Sequence, residues 1–165
     1  MNFLISLKRR KNDFLKKENI YYLTLIIIIF FFDRLSKLKI ISNFNGNNYY
    51  VNDYINFNLI WNIGIGFGFL STDSSLFYNL VTLIIGIVIL FLIYIFGTSK
   101  NIDKLIYSII IGGALGNFYD RLVYKAVPDF IDLHYNDFHW FTFNLADVFI
   151  TIGIFIFLFK ELLHK

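Results

Sequence analysis

The stretch SLFYNLVTLIIGIVILFLIYIFG, residues 75–97, carries no charged side chain and few polar ones. It matches the roughly 20 residues a helix needs to cross a hydrocarbon core, and water is a poor solvent for every face of it. Three more apolar segments accompany it, at about 20–41, 105–124 and 144–160. Lipid offers the backbone no hydrogen-bond partner, so a spanning segment must satisfy its own amides, which a helix does most simply. A mean hydropathy of +0.61 with 16% charged residues places the chain far outside the soluble range. The expected fold is therefore an α-helical integral membrane protein. It has four transmembrane helices and a small β-like extracytoplasmic element, in a single membrane domain over residues 1–165.

The distribution of Lys and Arg orients these spans. The tail 1–19 is densely basic, Lys100 and Lys104 lie between the second and third segments, and Lys160 and Lys165 end the chain. Residues 43–74 contain no Lys or Arg, and residues 125–143 contain only Lys125. The positive-inside rule puts both termini in the cytoplasm and the loops 42–74 and 125–143 outside. The first apolar run is too long for a cleaved secretory signal and reads as a retained anchor. In the first outer loop, NNYYVNDYINFNLIWN alternates β-branched or aromatic residues with Asn and Asp, which predicts short strands at the membrane surface. Membrane lipid is the expected environment. Nucleic acid is not an expected partner, because no basic face exists beyond the first tail. The absence of cysteine excludes disulfides, thiolate metal sites and thiol nucleophiles.

With the orientation set, the polar groups collect at one depth. Asp33, Arg34 and Lys37 fall in the outer half of the first span, and Asn62 precedes the second. Asn117, Asp120 and Arg121 close the third, Asn144 and Asp147 open the fourth, and Asp129 lies in the loop between. Charges at such depth cost a few kcal/mol each unless paired or hydrated, which marks them as functional candidates. Ordinary roles exist for each one alone. Asp33 and Lys37 have the i,i+4 spacing of a local ion pair, Asp120–Arg121 suits an interfacial anchor, and Asn144 or Asp147 suits a helix N-cap. The glycines of IIGGALGN suit close helix packing. His134 and His139, near Asp132 and Asp137, match no standard ligand spacing, so no metal is expected.

Two separated carboxylates, Asp129 and Asp147, flank one short outer loop. A carboxylate pair sharing one proton is a known solution for peptide hydrolysis, because close like charges split the two pKa values. Two rival classes remain at this point. A small transporter or channel subunit would place polar groups at several depths, and a non-catalytic membrane scaffold would tolerate replacement of Asp129.

The blocks FFDRLSK, WNIGIGFGF, GGALGNFYDRLVYKAVPDFIDL and FNLADVFITIG resemble, in order and spacing, those of the lipoprotein signal peptidase (signal peptidase II) family, from about residue 30 to residue 153. The resemblance implies an aspartic endopeptidase of the bacterial plasma membrane that removes the signal peptide of a prolipoprotein just before its diacylglyceryl-modified cysteine. It implies catalytic roles for Asp129 and Asp147 and substrate-binding or orienting roles for Asn62, Gly64, Phe67, Asn117, Arg121 and Asn144. Asp33, Lys37 and Asp120 would have supporting roles. It also implies no metal or organic cofactor, and inhibition by a globomycin-type cyclic peptide. Arg34 departs from a common Gln, Gly66 from a frequent Ala, and Lys125 from a usual Gly, while Pro128 directly precedes Asp129 and stiffens the approach to it.

Overall fold

The computed structural model describes residues 17–43, 48–64 and 75–163. Its elements run α1 (Lys17–Asn43), β1 (Tyr49–Asn52), β2 (Ile55–Asn62), α2 (Ser75–Thr98), α3 (Asn101–Tyr124), β3 (Val127–Tyr135), β4 (Phe138–Phe143) and α4 (Leu145–Leu163). The four strands form one antiparallel sheet in the order β1-β2-β3-β4.

Helix α3 packs against α1, α2 and α4, and glycines set how closely two of them approach. A Cβ on Gly112 would stand 2.8 Å from Ile29 Cβ of α1. One on Gly113 would stand 2.6 Å from the Ala146 carbonyl oxygen of α4, and one on Gly116 would collide with Asp33 Oδ2. Small residues allow such approach where lipid supplies no hydrophobic drive between helices. Around this seam lie the buried Ile29, Ile106, Ile111 and Ala146.

The burial pattern is inverted relative to a water-soluble bundle. Asp33, Lys37 and Asp120 are fully enclosed, while Phe31, Phe32 and Leu35 of α1, Leu83, Leu90 and Phe91 of α2, and Phe155, Leu158 and Phe159 of α4 face outward. By length and composition alone, one described helix, Leu76–Thr98, qualifies to cross a membrane. The others carry charge: Asp33, Arg34, Lys37 and Lys39 in α1, Asp103, Lys104, Asp120 and Arg121 in α3, and Asp147, Lys160 and Glu161 in α4.

Several elements extend a few residues past the apolar runs read in the sequence. Helix α3 begins at Asn101, itself left-handed at φ 47°, a few residues before the apolar run starts. It stops at Tyr124, where Lys125 turns left-handed (φ 57°, ψ 20°) and reverses the chain. The β element is also larger than the first outer loop. The second loop supplies β3 and β4, joined by a tight turn in which Asn136 has φ 51°. Asn tolerates the left-handed conformation that a two-residue hairpin turn demands.

Candidate active site

Strands β2 and β3 bring Asn62 to Asp129. Their antiparallel register pairs Ile60 with Asp129 and Asn62 with Val127, so Asn62 lies diagonally across from the aspartate. Its Nδ2 donates to Asp129 Oδ2 at 2.8 Å, while its Oδ1 accepts from the Gly64 N–H at 2.8 Å. The other carboxylate oxygen of Asp129 accepts from Asn144 Nδ2 at 2.6 Å. Pro128, opposite Trp61, precedes it within β3.

Asp147 is placed by the start of α4. Asn144 Oδ1 accepts from the Asp147 N–H at 3.1 Å, and Asp147 Oδ2 accepts from the Asn144 N–H at 3.1 Å. This reciprocal pair is a capping box, which satisfies two amides that a helix start leaves open. Asn144 thus has both roles open to it in the sequence: it caps α4 and it holds Asp129. The remaining oxygen of Asp147 accepts from Asn117 Nδ2 of α3 at 2.8 Å.

Behind Asn117 lies a charged cluster. Lys37 Nζ donates to Asn117 Oδ1 at 2.8 Å and pairs with Asp33 at 2.8 Å and Asp120 at 2.7 Å. Asp33 Oδ1 also accepts the Ala146 N–H of α4 at 3.0 Å, tying α1 to the same helix start that carries Asp147. Arg34 completes the cluster by pairing with Asp120, and its guanidinium lies 4.6 Å from the Tyr119 ring centroid. Arg34, read in the sequence as a mild departure, is thus a principal partner of Asp120. No pattern in the sequence links these residues, since the contact joins two helices distant along the chain.

Asp120 and Arg121, adjacent in sequence, part company here. Asp120 turns to α1, whereas Arg121 donates to the Gly64 carbonyl and lies 5.5 Å from the Tyr78 ring centroid. Phe67 and Gly66 lie outside the described residues. The other residues to which the resemblance assigns a role fall into this one connected set, whereas Asp132, His134 and His139 form a separate cluster.

Asp129 is 2% exposed, whereas Asp147 is half-buried. Burial, and then the neighbouring charge of Asp147, raise the Asp129 pKa to about 7; the Asn62 and Asn144 hydrogen bonds and the Lys37 charge oppose the rise. A carboxyl held near neutrality beside a second carboxyl can keep one proton between them at pH 7. Such a pair can supply a base and an acid at once.

Comparison with known proteins identifies the family. The family profile described as Signal peptidase (SPase) II matches residues 25–163. A lipoprotein signal peptidase of Pelagibacter ubique is 48% identical over 134 residues, covering 79% of this chain and 81% of its own. One from Dichelobacter nodosus is 41% identical over 132 residues, covering 79% and 86%. Among solved structures, a bacterial membrane enzyme determined by the in meso method at 2.3 Å superposes with a TM-score of 0.71 at 28% identity, over 86% of this chain and 87% of that one. The chain belongs to the signal peptidase II family, whose members are bacterial membrane proteases that remove signal peptides from prolipoproteins.

Proposed function

We propose that this protein is an aspartic endopeptidase whose catalytic pair is Asp129 and Asp147, cutting the prolipoprotein chain immediately before its diacylglyceryl-modified cysteine. The observation that carries this reading is the shared clamp on the two carboxylates: Asn144 contacts both, Asn62 holds the first and Asn117 the second.

The chemistry follows from one proton shared between two acids. The ionised carboxylate takes a proton from a water held between them, and that water's oxygen attacks the scissile carbonyl carbon. The protonated carboxyl hydrogen-bonds to the carbonyl oxygen as it gains negative charge. When the C–N bond breaks, a carboxyl proton passes to the leaving amine, which is the new N-terminus at the lipidated cysteine. The titration belongs to the pair, so neither aspartate is assigned the proton. Arg121 and Gly64 would form a wall for the substrate backbone, with Phe67 on the same segment. Asp33, Lys37 and Asp120 would hold α1, α3 and α4 in register.

In this reading all four helices span the plasma membrane, at about 20–41, 75–97, 105–124 and 144–160, with both termini cytoplasmic and the sheet outside. The outward apolar faces of the helices and the buried charges of α1 and α3 support it, because pairing reduces the penalty that hydrocarbon would impose. Exposed Tyr50, Phe138 and Trp140 on the outer strands suit the headgroup level. Acyl chains and the signal helix of the substrate would then remain in lipid while the scissile bond meets the two acids. A globomycin-type cyclic peptide would compete for the same cleft.

The test is mass spectrometry of products from a diacylglyceryl-modified prolipoprotein. A new N-terminus at the lipidated cysteine supports the reading, and cleavage elsewhere or none overturns it. The cysteine-free chain also permits clean labelling of the topology. Asp137→Cys should react with an impermeant maleimide in spheroplasts, whereas Thr98→Cys should react only after lysis.

A further inference from the structure

On the outer hairpin, Asp132, His134 and His139 bring three potential ligand atoms within 4.8 Å of one another. The local fold explains the convergence. Asp132 and His134 are two apart on β3 and share a face, and the β3–β4 register sets His134 directly opposite His139. The two imidazoles stack with centroids 5.3 Å apart and planes 22° apart. Asp137, also near in sequence, is not part of the group.

The hydrogen bonding of this cluster is incomplete. His139 Nδ1 lies 2.7 Å from Asp132 Oδ2. His134 is only 6% exposed, yet its Nδ1 has no hydrogen-bond partner among the described residues and stands 4.0 Å from that same carboxylate oxygen. Asp132 is 4% exposed, and no lysine or arginine pairs with it among the described residues. Its close partner, His139, carries charge only when protonated, and a buried carboxylate beside a neutral imidazole is costly. A divalent ion about 2.0–2.2 Å from each ligand atom would draw these atoms closer together and supply the missing charge.

The far side of the His134 ring suits this arrangement. Its Nε2 lies 3.3 Å from Asn56 Nδ2, while Asn56 Oδ1 is buried without a partner among the described residues. Turning that amide over sets Oδ1 against Nε2, which then carries the ring proton and leaves the Nδ1 lone pair facing Asp132.

We propose that Asp132, His134 and His139 form a Zn2+ site that fastens β3 to β4. Its ligands are the Asp132 carboxylate, His134 Nδ1 and a ring nitrogen of His139. The fourth position is open to water, because the His139 side chain is 58% exposed. Two imidazoles and one carboxylate suit zinc among the first-row divalent ions. The alternation of β3 turns Asp132 to the face opposite Asp129, so no step of peptide cleavage passes through the ion.

The experiment is Zn2+ titration of the tag-free, chelator-treated full chain in detergent, against a chromophoric competitor and with melting curves. The wild type should bind one equivalent and melt at a higher temperature with zinc. Changing even an outer-shell partner costs about 10–100-fold in metal affinity, so His139→Gln should weaken binding by at least about tenfold and abolish the melting shift. Asp132→Asn should do the same, and the exposed position of His139 keeps the comparison valid if Asp132→Asn does not fold. Absence of zinc binding by the wild type, or equal binding by His139→Gln, overturns the proposal.

Discussion

Asn144 donates its side-chain amide to Asp129 at 2.6 Å, and its backbone N–H reaches Asp147 at 3.1 Å. One residue therefore fixes the spacing of the two carboxylates, and the helix start it caps cannot shift without moving both.

The same clamp sets a pH dependence. The donated hydrogen bonds of Asn62 and Asn144 favour ionised Asp129, whose pKa stands at about 7. With one proton required on the pair, activity should fall as pH rises through that value. Asn62→Ala removes a stabiliser of the ionised form, so the proton stays on to higher pH. The descending limb of the kcat–pH profile should move upward by about 1 unit, with a lower plateau. A limb that stays in place would separate Asn62 from the titrating pair.

Lys37 is enclosed between Asp33, Asp120 and Asn117. Lys37→Met leaves the buried Asp33 carboxylate without a cation, while Asp120 keeps Arg34, a loss of about 3–5 kcal/mol where one partner of a buried pair is removed. It should lower the melting temperature in detergent sharply, and Lys37→Arg should recover only part of the loss. Melting unchanged by Lys37→Met would show that the cluster contributes nothing to stability.

Lys125 occupies a left-handed conformation (φ 57°) at the end of α3, the reason a glycine suits this position. A side chain there costs about 1–2 kcal/mol, part of which glycine returns through its freer unfolded state. Lys125→Gly should therefore raise the melting temperature by a few degrees at most and leave cleavage intact. A lower melting temperature would mean that Lys125 makes a compensating contact.

The helices were legible because an apolar run of spanning length leaves few alternatives, and the acids stood out against it. Less legible was everything that depends on pairing. VPDFIDLHY and FHWFTF read as a loop until the Asn136–Asp137 turn folds them together, and only the resulting register brings His134 opposite His139. The Arg34–Asp120 pair joins separate helices, so no local spacing announces it. Asn144 shows a further limit: Asn is both a good helix cap and a good carboxylate donor, and residue type alone cannot reveal that one side chain does both.

The central claim is that Asp129 and Asp147 together cleave the substrate. The most direct measurement is turnover of a diacylglyceryl-modified prolipoprotein by purified wild type, Asp129→Asn and Asp147→Asn, each verified as folded by its melting curve. The account predicts that wild type cleaves before the lipidated cysteine, while each variant loses at least about a thousandfold in rate, as loss of an essential acid or base requires. Near-normal turnover by either folded variant would contradict it.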